Sequence, residues 1–291
     1  MPRRSSIDIA KDQIKSFFTE NVGRVISTNE LYNIIWAHSD QWGIASSLHH
    51  EKIASQLVAK GIIKLIELEH DSKGSKKLYA PYDWKDDPLE IGAHLTRGVY
   101  FTHYTAMAIH GLTDQIPKSY FINYERPTPS VRGEVDQDII DKNFSKPLKR
   151  SSNIYSYHDF KFYLLQGVHT GHLGVQDFGV DFKFSCTNLE RTLIDITVRP
   201  TYSGGVTEVL EAFIRARESI DINQLLSYLK RIQYAYPYHQ AIGFYMECAG
   251  YSKSHLELLK KMGINYKFYL SHGIRTPKLS SEWNIIYPNG F

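Results

Sequence analysis

The apolar positions of the first eighty or so residues recur at a helical period and then switch to alternation. Ile7, Ala10, Ile14, Phe17 and Phe18 stand at i, i+3, i+7, i+10 and i+11, which predicts one amphipathic helix closed by Gly23. Val25-Ile26 reads as a short strand. Ser27 and Glu30 have the spacing of a capping box, so a second helix is predicted there with Leu31, Ile34 and Ile35 inward. After a connection at 40–45, a third helix is predicted over 46–60. Its core side holds Ile53, Ala54, Leu57 and Val58, with His50 packed among them, and Gly61 caps it. Residues 62–69 and 77–80 read as strands around the polar turn 70–76. Helix, short strand, two helices and a hairpin together predict a winged helix-turn-helix over residues 1–85.

Pro81 to Pro88 reads as a linker. Beyond it both periods occur. Helices are predicted near 88–97, 103–110, 188–198, 205–217, 222–232, 237–249 and 253–262. Strands are predicted near 119–124, 154–157, 160–165, 180–185, 265–270 and 283–287. Residues 125–152 contain Pro127, Pro129, Gly133 and many charges, and read as a long surface excursion. The expected fold class is α+β: the N-terminal winged helix-turn-helix, then a larger mixed α/β C-terminal domain over 86–291. A chain of 291 residues is long enough for two cores.

The helix near 188–198 is the most informative. Thr187 and Glu190 have capping-box spacing, Leu189, Leu193, Ile194 and Ile196 form its apolar side, and Pro200 stops it. The pattern leaves Arg191 and Asp195 on an exposed face, four residues apart.

This ERTLID helix resembles a segment of the AbiEi antitoxin family, regulators of bacterial phage-defence toxin–antitoxin pairs. Three further segments are similar to the family in order and spacing. Thr102-His103-Tyr104-Thr105-Ala106-Met107-Ala108-Ile109-His110-Gly111-Leu112-Thr113 resembles its THxTALxxHGLT segment, with Gln115-Ile116-Pro117 and Tyr120-Phe121-Ile122 following. Ala241 to Tyr251 resembles its RLGYLLExxG segment, except that Gln240 and Ala241 stand where an Arg is usual. Trp283 to Pro288 resembles its closing strand. The resemblance implies an N-terminal domain that binds operator DNA at paired inverted repeats and represses its own operon, with two copies on the DNA. It implies a second domain that counteracts a nucleotidyltransferase-like toxin without a stable complex. The other readings are a stand-alone winged-helix regulator, and an enzyme acting on nucleic acid with the winged helix as its targeting module.

Composition narrows this modestly. The net charge of +3 is too weak to argue nucleic-acid binding by itself, so the placement of charge has to carry it. Cys186 and Cys248 lack CxxC spacing, which argues against a zinc site or a disulfide framework and suits a cytoplasmic protein. No apolar h-region follows Arg3 and Arg4, and no apolar run approaches a membrane span.

On the third helix Leu48, Lys52, Ser55 and Gln56 face away from the core, with Ser47 at the N-terminal edge and Glu51 beside them. In a helix-turn-helix this face lies in the major groove; Lys52 and Gln56 suit bases or phosphates, and Ser47 and Ser55 suit phosphates. The alternative is a protein-contact winged helix with these groups solvated. Lys73, Lys76 and Lys77 crowd the hairpin turn, with Lys64 on the incoming strand, and suit a sugar–phosphate backbone or plain solvent. Arg3 and Arg4 suit a minor-groove arm or a loose chain start. For the antitoxin surface the candidates are Arg191, Asp195 and Arg199; the alternative is structural ion pairs and caps. His169 and His172, with HxxH spacing among glycines, and Asp177 and Asp181 could be read as a metal site, and Asp181-Phe182-Lys183 with Glu190 only faintly suggests a nuclease-like acidic cluster. With no HExxH, P-loop, GxGxxG or GxSxG, the sequence predicts no enzyme, no cofactor and no metal.

Overall fold

The computed structural model describes residues 5–45, 47–128, 135–180 and 182–291. The protein is mixed α+β and divides into two compact units. The first comprises residues up to Arg97 with 153–162 and 179–184; the second comprises 98–152, 163–178 and 185–291. The first unit thus takes in 86–97 and two later stretches besides the expected 1–85.

The chain begins with α1 (Ser6–Ile9) and α2 (Lys11–Phe17), which continues as a π-helical turn at Phe18–Val22. Then come β1 (Ile26–Ser27), α3 (Thr28–His38), α4 (His50–Ala59), the hairpin β2 (Ile63–His70) and β3 (Lys76–Pro81), and α5 (Pro88–Ala93). The middle of the chain holds β4 (Tyr100–Phe101), α6 (His103–Ile109), β5 (Ser119–Glu125), α7 (Gln137–Phe144) and β6 (Ile154–Tyr157). β7 (Phe160–Gly167), β8 (Val175–Phe178), β9 (Phe184–Thr187) and α8 (Leu189–Val198) follow. Last are α9 (Val206–Ala216), α10 (Ile222–Ile232), α11 (Tyr238–Cys248), α12 (Lys253–Lys260), β10 (Phe268–Tyr269), β11 (Pro277–Ser280) and β12 (Ile285–Pro288).

In the first unit the strands lie in the order β1-β3-β2-β6. β1 pairs antiparallel with β3 through Ile26 and Tyr79, and β6 pairs antiparallel with β2 through Glu69–Ser156 and His70–Tyr155. Ile14, Phe18, Leu31, Ile35, Trp42, Ile53, Leu57 and Ile63 are buried in its core. The capping box that opens α3 is complete: Ser27 N–H donates to Glu30 Oε2 at 2.8 Å, and Glu30 N–H donates to Ser27 Oγ at 3.3 Å. The predicted first helix is instead two, because Ala10 leaves the helical conformation (ψ 7°). Its apolar positions still reach the core, since Ile7, Ala10, Ile14 and Phe18 are all buried.

In the second unit the order is β7-β5-β4-β9-β8, with β4 parallel to β9 and antiparallel to β5. A separate small sheet runs β10-β12-β11. Helices α8 to α11 carry the main core, with Leu193, Ile196, Phe213, Leu225, Ile242 and Tyr245 buried together with Trp283. Helix α8 is central: every residue from Glu190 to Thr197 is buried. Among the described residues, no helix is long and apolar enough to cross a membrane.

Candidate nucleic-acid interface and the buried polar network

Helix α4 starts at His50 rather than near 46, and its N-cap residue His49 offers no side-chain cap. Ile53, Ala54 and Leu57 turn one side inward, and Leu48, expected to face away from the core, precedes the helix and packs against that core. Lys52 and Ser55 are exposed and Gln56 is half-buried. Ser55 Oγ donates to the Glu51 carbonyl at 2.9 Å, so its proton is spent within the helix and its oxygen remains available as an acceptor. Ser47 is exposed but precedes the helix, so it stands in the connecting turn. His50 is half-buried, its ring 5.8 Å from that of Tyr32.

At the hairpin the structure gathers three of the four predicted lysines. Lys73, Lys76 and Lys77 line a cleft of about 360 Å³ whose walls also include Ser27 and Asn29 at the start of α3, Leu78 on β3 and Tyr155 on β6. Lys73 and Lys77 are exposed; Lys76 is half-buried, and burial lowers the proton affinity of its amine. Lys64 does not join them. It sits near the foot of the hairpin opposite Ala80, donates to the Trp84 carbonyl, and lies 5.9 Å from the centre of that indole. Arg3 and Arg4 lie outside the described residues, as does Asp181. Sequence reasoning had no signal for Tyr155 or for Asn153, which bonds to His70 across 83 residues.

The Arg191 face is corrected. Arg191 and Asp195 are 4% and 7% exposed, so neither lies on an exposed face. Arg191 Nε donates to Asp195 Oδ1 at 2.8 Å, and its Nη1 donates to the Leu173 carbonyl at 2.7 Å and to Thr170 Oγ1 at 3.3 Å. Thr102 Oγ1 donates to Asp195 Oδ2 at 2.9 Å. Burial opposes the guanidinium charge, but Asp195 outweighs it and raises the proton affinity of Arg191. The expected Thr187–Glu190 capping box also shifts. Asn188 is the N-cap, accepting from Arg191 N–H at 3.0 Å, while Thr187 Oγ1 bonds to Thr192 Oγ1 at 2.8 Å. Glu190 Oε1 instead accepts from Asp221 N–H at 3.0 Å, before α10. Only Arg199, at the C-terminal end of α8, is exposed.

The HxxH loop folds around a carboxylate of the protein itself. Glu125 Oε2 accepts from Thr170 N–H at 2.7 Å and Gly171 N–H at 2.9 Å, and His172 N–H lies 3.3 Å from each carboxylate oxygen. Burial disfavours the Glu125 charge, but the Thr170 hydroxyl, which donates to Oε1, and these backbone donors hold its pKa below the usual carboxylate value. Nearby, His103 opens α6 with a left-handed backbone (φ 52°). Burial pushes its imidazole down to about 4.

No protein-family model matches this sequence, and no curated protein matches it. The chain is similar in fold to the solved structure of the RV2827C protein from Mycobacterium tuberculosis, with a TM-score of 0.61 at 12% identity over 96% of this chain and 90% of that one.

Proposed function

We propose that this protein is a cytoplasmic, DNA-binding transcriptional autorepressor that also acts as an antitoxin against a nucleotidyltransferase-like toxin. The observation that carries the DNA-binding half is the build of the first unit. The broken N-terminal helix α1–α2, the short strand, two helices and the hairpin follow one another, and the short strand pairs with the hairpin's second strand. This order supports the winged helix-turn-helix reading, in which α4 is the recognition helix and residues 71–75 the tip of the wing. Exposed Lys52 and half-buried Gln56 suit base edges or phosphates, and Lys73, Lys76 and Lys77 suit the sugar–phosphate backbone. The exposed Glu51 beside them is a repulsive element that a groove must accommodate. The antitoxin half rests on the AbiEi resemblance of the second unit. Of its three candidate surface residues, exposed Arg199 stays on that surface, while Arg191 and Asp195 serve the fold.

Gel shifts across a salt series test the DNA-binding half. The protein is expected to bind its own promoter far better than a scrambled duplex, with affinity falling steeply as salt rises. Equal binding to both duplexes overturns the repressor reading. Growth of cells expressing a nucleotidyltransferase-like toxin, with and without this protein, tests the antitoxin half; a growth defect that this protein leaves unchanged overturns it.

A further inference from the structure

The hairpin turn that carries Lys73 is built around a histidine ring. His70, the last residue of β2, is 7% exposed and packs edge-on against Tyr155, with ring centroids 4.8 Å apart. Its Nδ1 lies 3.1 Å from the backbone N–H of Ser72 and 3.1 Å from that of Lys73. Backbone N–H groups only donate, so Nδ1 must be the lone-pair nitrogen. The proton then sits on Nε2, which donates to Asn153 Oδ1 at 3.1 Å. The ring does what an asparagine or aspartate side chain does in an Asx-turn, where an oxygen accepts the N–H two residues on.

The same asparagine oxygen accepts from Lys73 Nζ at 3.1 Å. Lys73 is therefore held at both ends, its backbone by His70 and its ammonium by Asn153. An ammonium has three protons, so two remain to donate. Lys76, Lys77 and Asn29 line the same cleft, beside Leu78 and Tyr155, and their ammonium and amide groups are donors suited to a tetrahedral anion. The hydroxyls of Ser27, Thr28 and Ser75 donate within the protein, to Glu30, the Lys77 carbonyl and Glu67.

We propose that His70, with Asn153, is a positioning residue that holds Lys73 in this cleft to bind a phosphate of the nucleic-acid backbone. The inference rests on the DNA-binding reading above. A free lysine at a hairpin tip loses side-chain entropy each time it grips a phosphate. Here much of that ordering is already done in the folded protein, which makes the contact stronger without adding a charge.

The test compares His70→Phe, which keeps an aromatic ring against Tyr155 but has no acceptor, with His70→Asn, which restores an Asx-type acceptor. Each is titrated with promoter and scrambled duplexes over a salt series, alone and combined with Lys73→Ala, and each is melted to confirm folding. His70→Phe is expected to weaken both duplexes alike and to reduce the slope of log affinity against log salt by about 0.9, the loss of one phosphate contact. Lys73→Ala is expected to do the same, the double variant no more than either, and His70→Asn to recover most of the slope. An unchanged slope in His70→Phe overturns the inference. So does a full further loss when it is combined with Lys73→Ala, because the ring would then act on binding by some route other than Lys73. Failure of the unaltered protein to bind either duplex overturns the DNA-binding reading itself, and is separable from both results.

Discussion

Arg191 and Asp195 form a buried ion pair on α8, and that neighbourhood fixes what the loss of Arg191 should do. Removing one partner of a buried, hydrogen-bonded ion pair leaves the other charge uncompensated. Arg191→Ala strands Asp195, and is expected to cost about 3–5 kcal/mol, as much as the roughly 2–5 kcal/mol for truncating the buried Leu193 to Ala. Lys52→Ala, on an exposed position, should melt like the unaltered protein. Thermal or urea melts of the three variants check this; an Arg191→Ala protein of normal stability would mean that the pair is not what orders this region. His103 gives a pH signature. Its folded pKa of about 4 lies below the ordinary 6.5, so the unfolded chain binds more protons between these values. Stability should be fully present above about pH 6.5 and fall as pH drops toward 4, by roughly 3 kcal/mol for this group at about 1.4 kcal/mol per unit. Asparagine tolerates the left-handed backbone at this position. His103→Asn should therefore flatten that part of the profile while keeping the turn. An unchanged slope would assign the acid sensitivity to other groups. Glu125, with its depressed pKa, contributes in a lower window: its share is present above the ordinary carboxylate value of 4.5 and is lost as pH falls below it.

At the scale of elements, α11 is fitted to the indole of Trp283 at one position. A Cβ built on Gly243 would stand 2.1–2.6 Å from three ring atoms of Trp283, a fully buried side chain. Gly243→Ala improves helix propensity but overpacks this contact, and should destabilise by about 1–3 kcal/mol, read by melting. A neutral or stabilising result would show that the indole can slide away. The same elements show what the sequence made legible. Helix α10 lies where the sequence predicts a helix, near 222–232, and in it Leu225, Leu226, Leu229 and Ile232 repeat at helical spacing behind an Asp221 cap. Helix α7 was passed over as part of a charged excursion, since Ile140 and Phe144 are its two fully inward positions among polar neighbours. Strand β8 is four residues long with only its ends half-buried, too short for alternation to register. At the site, the exposed lysines were legible from their position in a polar turn. The exposure assigned to Arg191 was not, because one apolar stripe says what a helix packs against on one side and nothing about what covers the other. Helix α8 is covered all round, and its charged residues are buried with their partners.

At the scale of the whole molecule, the first unit is assembled from distant parts of the chain, and this decides how it should behave when cut. Its helical core draws only on residues from Ile7 to Tyr79, so a fragment ending at Arg97 retains every buried residue of that cluster. The fragment lacks β6, however, and with it the strand that pairs with β2 and the side chain of Asn153 that bonds to His70. An unpaired β2 edge exposes backbone donors and acceptors to water and frees the end of the hairpin. The fragment is therefore expected to fold cooperatively but to melt lower than the full chain. Its hairpin amides, above all those of Ser72 and Lys73, should exchange much faster, because local opening no longer has to break the β2–β6 pairing. On DNA it should keep the sequence preference that α4 supplies while losing affinity and salt dependence that the hairpin supplies, a slope reduced by about 0.9 for each phosphate contact released. Amide exchange and promoter titration on the same fragment read the two consequences separately. A fragment with protected turn amides and an undiminished salt slope would show that β6 is dispensable, and that the hairpin is held by its own two strands.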